Sequence, residues 1–156
     1  MKSLNSMRLV FDSRSANEAF ARTSVAAFIC CLDPTVEEMT DIRTAVSEAV
    51  TNSIVHGYRN TIGKVTVTAF LYENNRVVIK IKDRGCGIED IEKAREPLFT
   101  TCPGEERAGL GFAVMESLMD KLRVTSSPGK GTTVTMEKRI CCRDSIPQEN
   151  AHEPRS

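Results

Sequence analysis

Two stretches of the chain, Lys64–Tyr72 and Arg76–Lys82, alternate apolar and polar residues with period two. That alternation predicts half-buried strands. Glu73-Asn74-Asn75 joins them with asparagines that tolerate positive φ, so the pair reads as a hairpin. Met7–Asp12 predicts a shorter strand. Leu122–Ser126 and Thr132–Met136 form a second pair, turned by Ser127-Pro-Gly-Lys-Gly131.

Between the first strand and the hairpin the period changes to helical. Met39, Ile42, Val46, Ala49, Val50 and Ser53 share one stripe of a helix running from Thr35 to about His56, with Gly57 as its stop. Thr35 and Glu38 have the spacing of a capping box, and Ser15 and Glu18 repeat it before an earlier helix that ends near Cys31. That earlier helix carries two stripes. Ala16, Ala19, Phe20, Thr23, Ala26, Ala27 and Cys30 lie on one side, and Ala21, Val25, Phe28 and Ile29 lie on the other with Glu18 and Arg22. A surface helix needs only one apolar stripe. The second is expected to meet a protein partner through Arg22, Val25 and Ile29, the alternative being a neighbouring helix that covers it while Arg22 snorkels to water.

Helical periodicity returns over Gly109–Met119, with one or two turns within Ile88–Arg95 and a loop over Glu96–Glu106. Residues 141–156 are polar, aperiodic and carry two prolines, so they read as a disordered tail behind a single domain of residues 1–140. The order β-α-α-β-β-loop-α-β-β implies a two-layer α/β sandwich, with a mixed, mainly antiparallel sheet and helices on one face.

Composition narrows the function classes. At 156 residues one core is sufficient. Lys plus Arg number 21 and so do Asp plus Glu, and this neutrality argues against nucleic acid as the main partner. The six cysteines include the adjacent pairs Cys30-Cys31 and Cys141-Cys142 but no C-x-x-C, so reduced thiols are expected rather than zinc or bridges. No signal peptide or membrane span is visible, and a cytoplasmic protein is expected.

The chemistry concentrates in three short stretches: Glu48-Ala-Val-Thr-Asn52, Asp83-Arg-Gly-Cys-Gly87 and Arg107-Ala-Gly-Leu-Gly-Phe-Ala113. Glu48 and Asn52 stand one turn apart at the margin of the buried stripe, where they can line a pocket. Without the other two stretches they would read as a solvated i,i+4 pair. A Rossmann fingerprint is excluded because the glycines at 109 and 111 follow no strand, and a P-loop fails because a glycine replaces its Ser or Thr.

In order and context the three stretches resemble the N, G1 and G2 boxes of the ATP-binding fold shared by DNA gyrase, Hsp90, histidine kinases and MutL, the GHKL or Bergerat fold. In that light Asp83 accepts the adenine amine, while Gly85 and Gly87 admit the base. Gly109 and Gly111 open a helix whose free amides hold phosphate, and Arg107 adds a charged contact. Asn52 is a ligand for Mg²⁺, and Glu48 is placed to take a proton from the attacking hydroxyl. The resemblance extends the ATP site to Thr100, Thr101, Leu110, Phe112 and Thr133.

The chain has no segment for a phosphoacceptor-histidine hairpin and none of the further domains of gyrase or Hsp90. Ser47–Tyr58, Pro97–Thr101 and Ser127–Thr133 resemble the sporulation anti-sigma F family, a serine-kinase branch of that fold, over roughly residues 5 to 140. This implies a homodimer that keeps sigma F from RNA polymerase and uses Mg²⁺ and ATP to phosphorylate a serine of an anti-anti-sigma factor. An ATP-gated binding module without phosphoryl transfer is the alternative, and Glu48 favours transfer.

Overall fold

The computed structural model describes residues 2–96 and 111–141. Along the chain run β1 (Asn5–Asp12), α1 (Ala16–Ile29), α2 (Val36–Asn52), β2 (Lys64–Tyr72), β3 (Arg76–Asp83), α3 (Ile91–Arg95), α4 (Gly111–Leu118), β4 (Lys121–Ser127) and β5 (Gly131–Arg139). The strands form one sheet in the order β1-β2-β3-β5-β4, with the helices packed on one face. Every strand pair among the described residues is antiparallel, which corrects the expectation of a mixed sheet. The β4–β5 hairpin folds back so that β5 takes the place beside β3.

The β2–β3 hairpin forms as its alternation predicts. Val65, Val67, Ala69 and Leu71 point into the core opposite Asp83, Ile81, Ile79 and Val77. At the turn Asn74 and Asn75 take φ of 60° and 55°, a region open to asparagine at small cost. Helix α2 buries its predicted stripe, with Ile42, Val46, Ala49 and Val50 fully inaccessible and Ala45 joining them. Each large aliphatic side chain so buried contributes about 1.5–3 kcal/mol.

The capping box at α2 is complete. Thr35 Oγ1 accepts from the Glu38 amide at 3.1 Å, and Glu38 Oε2 accepts from the Thr35 amide at 2.9 Å. The second Glu38 oxygen accepts from the Cys141 amide at 2.9 Å, which pins the chain just after β5 to the start of α2.

Helix α1 departs from expectation twice. Ser15 has helical backbone angles and makes no side-chain cap, because an N-cap hydroxyl reaches the N3 amide only from an extended backbone. Glu18 is engaged elsewhere: it pairs with Arg22 at 3.2 Å and accepts the Ser47 hydroxyl from α2. The two stripes are also reversed. Ala21, Val25 and Ile29 have no exposed area and belong to the core, whereas Ala16, Ala19, Phe20, Thr23, Ala27 and Cys30 are exposed. Val25 and Ile29 are thus corrected from partner contacts to core residues, since a side chain without accessible surface cannot meet a second protein. Arg22 keeps 37% of its side chain exposed.

Candidate functional site

A cleft of about 740 Å³ opens where the C-terminal end of α2 meets the end of β3, and Glu48, Asn52, Asp83, Gly87, Gly111 and Phe112 all line it. Residues from all three sequence stretches therefore share one cavity. Glu48 and Asn52 are half-buried, as their place at the edge of the stripe requires. Gly111, the first residue of α4, packs against both. A Cβ there would stand 3.0 Å from Asn52 Nδ2 and 3.4 Å from Glu48 Oε2, so glycine permits the helix to approach.

Past Asn52 the helix widens into a π-helical turn, Ser53–Gly57, closed by the Tyr58 amide bonding to Ser53 O at 3.1 Å. Such turns recur at functional sites because they re-aim backbone groups. Here the freed carbonyls of His56 and Gly57 accept from Cys86, His56 from its thiol at 3.0 Å and Gly57 from its amide at 2.9 Å. The loop after β3 is thereby tied to the end of α2. Gly85 sits so close to Gly57 that a Cβ would fall 2.0 Å from its carbonyl oxygen, and Gly87 holds φ of 73°. Glycine at position 85 is therefore required for the close packing of these two backbones.

Asp83 is 3% exposed and accepts three hydrogen bonds within the protein. Its Oδ1 accepts from the Gly85 amide at 2.9 Å and the Thr132 amide at 3.3 Å, and its Oδ2 accepts from the Ser53 hydroxyl at 2.8 Å. Burial pushes the carboxyl above the usual aspartate range, because a low-dielectric site disfavours its charge. The Gly85, Ser53 and Thr132 donors oppose that shift. The result is a carboxylate held by three donors in the cleft wall, with acceptor capacity left on Oδ2 for a ligand amine.

The predicted site residues divide cleanly. Glu48, Asn52, Asp83, Gly87, Gly111 and Phe112 are brought together. Thr133 is not: it pairs with Lys82 on the sheet face away from the helices, and its neighbour Thr132 lines the cleft and bonds Asp83, which corrects the assignment by one residue. Thr100, Thr101, Arg107, Gly109 and Leu110 lie outside the described residues. Ser53 and Thr132 escaped the sequence reading. A serine within an aliphatic stripe was the available signal for Ser53, since a buried hydroxyl needs a partner.

The cleft fits a nucleotide on three counts. Its volume falls in the range of small-molecule sites, roughly 300–1,000 Å³. Asp83 offers a buried acceptor, and Asn52 offers a neutral oxygen beside Glu48. Among the described residues no group of three or more His, Cys, Asp or Glu could hold a metal ion. A single amide ligand suits Mg²⁺, which takes few protein ligands and completes its shell with phosphates and water.

Residues 11–138 match the histidine kinase-like ATPase domain family. An anti-sigma F factor of Thermoanaerobacter sp. (strain X514) is 60% identical over 140 residues, covering 90% of this chain and 97% of the relative. The chain belongs to the anti-sigma F factor family. A further anti-sigma F factor, from Geobacillus stearothermophilus, is 49% identical over 91% of this chain and 97% of its own. Among solved structures, the RsbU and RsbW domains of a Mycobacterium tuberculosis protein superpose with a TM-score of 0.63 at 21% identity, over 87% of this chain and 32% of that one. The mycobacterial sensor histidine kinase MprB gives 0.55 at 17% identity, over 86% and 98%. Both confirm the fold of this anti-sigma F factor family member. No helix among its described residues is long and apolar enough to cross a membrane.

Proposed function

We propose that this anti-sigma F family member binds ATP with Mg²⁺ in the cleft, holds sigma F away from RNA polymerase as a homodimer, and phosphorylates a serine of an anti-anti-sigma factor in the cytoplasm. The observation that carries the reading is the meeting of Glu48, Asn52 and Gly111 at one end of the cleft with Asp83 in its wall. When bound, ATP supplies the phosphoryl group and Mg²⁺ offsets its charge.

The chain's own residues do the rest. Asp83 accepts the adenine amine and fixes the base. Asn52 holds the metal with an uncharged oxygen, which leaves its charge for the phosphates. Glu48 takes the proton of the incoming serine hydroxyl. An open groove lined by Arg22, Thr40, Arg43, Thr44, Ser47 and Glu48 reaches Glu48 from outside the main cleft. It gives an acceptor protein a route to the base, with Arg22 at its rim as the proposed partner contact.

Phosphoryl transfer to the anti-anti-sigma protein, followed with radiolabelled ATP, tests the assignment. Glu48→Gln should keep Mg²⁺-ATP affinity within about threefold and lose transfer by roughly 10²–10⁴-fold, the usual contribution of a positioned base. Near-normal transfer by this variant would refute the base and favour a positioning role for Glu48.

A further inference from the structure

The balance of 21 basic and 21 acidic residues is an average over two unlike surfaces. On the helical layer, α1 and α2 carry Glu18, Glu37, Glu38, Asp41 and Glu48 against Arg22 and Arg43. The opposite face of the sheet is uncovered, and strand register fixes its membership. Arg8, Thr68, Lys80, Thr135 and Arg123 form one row across all five strands. Lys82 lies in the next row beside Thr66 and Thr133, with Lys121 and Arg139 nearer the other end.

These six cations are exposed and make no ion pair among the described residues. Two further cations, Lys64 and Arg76, are already matched to the face's two carboxylates, Asp12 and Glu137. The face therefore carries a large uncompensated positive charge. Its centre is threonine-rich, and its two aromatic rings are covered: Lys80 stands 5.7 Å over Phe70 and Arg76 stands 4.3 Å over Tyr72.

We infer that this open sheet face is a docking surface for the phosphate backbone of duplex DNA, bound without reading sequence. Three features select that occupant. Lys, Arg and threonine hydroxyls are the usual phosphate contacts. A protein partner would call for an apolar, aromatic centre, and charged residues are depleted at such centres. Single strands are held by stacking bases on free aromatic rings, and both rings here are occupied by cations. The surface lies across the sheet from the ATP cleft and stands independently of the function proposed for that cleft.

Fluorescence anisotropy with a labelled duplex of arbitrary sequence tests the surface on the full chain. The wild type should bind at 50 mM salt and weaken by roughly 10²-fold at 200 mM, as expected for about four neutralised phosphates. Lys80→Glu with Arg123→Glu should abolish binding, and the milder pair Lys80→Gln with Arg123→Gln should reduce it by at least about tenfold at low salt. Thermal melting of both variants would verify that these exposed substitutions leave the fold intact. Arg43→Glu, a charge reversal on the helical layer, should leave binding within about twofold. Absence of wild-type binding at 50 mM salt overturns the inference, as does equal binding by the Lys80/Arg123 variants. Competition by poly-glutamate as effective per charge as the duplex would assign the face to an acidic protein and overturn DNA as its occupant.

Discussion

Asp83 shows how a single carboxylate is prepared for recognition. It sits at the end of the central strand, where burial opposes its charge and three donors offset part of that cost. The Ser53 hydroxyl is the only side-chain donor among them, which makes its share separable by mutation. Ser53→Ala should weaken ATP binding by about tenfold, since a hydrogen bond to a charged group is worth about 1.5–3 kcal/mol. The sign of the pH effect follows from the raised carboxyl. Protonation turns an acceptor into a donor, so nucleotide affinity should fall on acidification at a pH above the ordinary aspartate value of about 3.9. Loss of Ser53 should move that fall to still higher pH. Calorimetric titration from neutral to acidic pH would decide, and an identical midpoint in the variant would remove Ser53 from the account. The sequence displayed Asp83 plainly, because a charged residue between an alternating strand and two glycines has few structural uses. It displayed Thr132 poorly. A strand's side chains alternate faces, and a register shifted by one residue exchanges Thr132 with Thr133; only the pairing of β5 with β3 resolves the two.

Elements were legible in proportion to how uneven their two sides are. Helix α2 separates aliphatic from polar residues, and its stripe and cap were readable, whereas its end at Asn52, where the π-helical turn begins, was not. Helix α1 has small apolar residues all round, so periodicity could not rank its faces, and packing against α2 chose Ala21, Val25 and Ile29. What holds the end of the described chain was not legible, for a related reason. Ile140 is buried, its amide bonds Asn75 O at 2.9 Å, and Cys141 is held by Glu38. No local pattern announces a bond spanning 103 residues. Burial alone would raise the Glu38 carboxyl, but the amides of Cys141 and Thr35 outweigh it and hold it below the usual range. A depressed carboxyl stabilises the fold above its unfolded value, about 4.3, and loses that contribution as pH falls through the folded value. Glu38→Gln should therefore lower stability by about 1–3 kcal/mol at neutral pH and flatten the acid limb of the stability profile. A chain ending at Ile140 should lose a similar amount, because the Cys141 amide is replaced by a carboxylate near Glu38. Urea denaturation of both would check this, and unchanged midpoints would show the clamp to be idle.

At the scale of the whole molecule, the sheet separates surfaces of different chemistry. The helical side carries the cleft and the Arg22 groove, and the far side carries the basic rows. Arg22→Glu should impair capture of sigma F or its antagonist by at least about tenfold, the scale of an interface arginine, while ATP affinity stays near wild type. Pull-down and nucleotide titration on the same variant would separate the two, and normal capture would place the partner contact elsewhere. The neutral composition concealed this division, because a sum over residues carries no direction.

The π-helical turn after Asn52 has a further consequence, in the arithmetic of insertion and deletion. A turn closed over five residues holds about one more than an α-turn of the same height. The extra residue is what lets Ser53 face Asp83 while His56 and Gly57 still present their carbonyls to Cys86. Removing any one residue from 53–57 would restore a regular helix and rotate everything after the gap by roughly 100° about the axis. The spacing between the Asn52 and Asp83 stretches is therefore far less elastic at its helical start than at the surface turn of residues 59–63. Length variation among family members should collect in that turn and avoid the five residues before it.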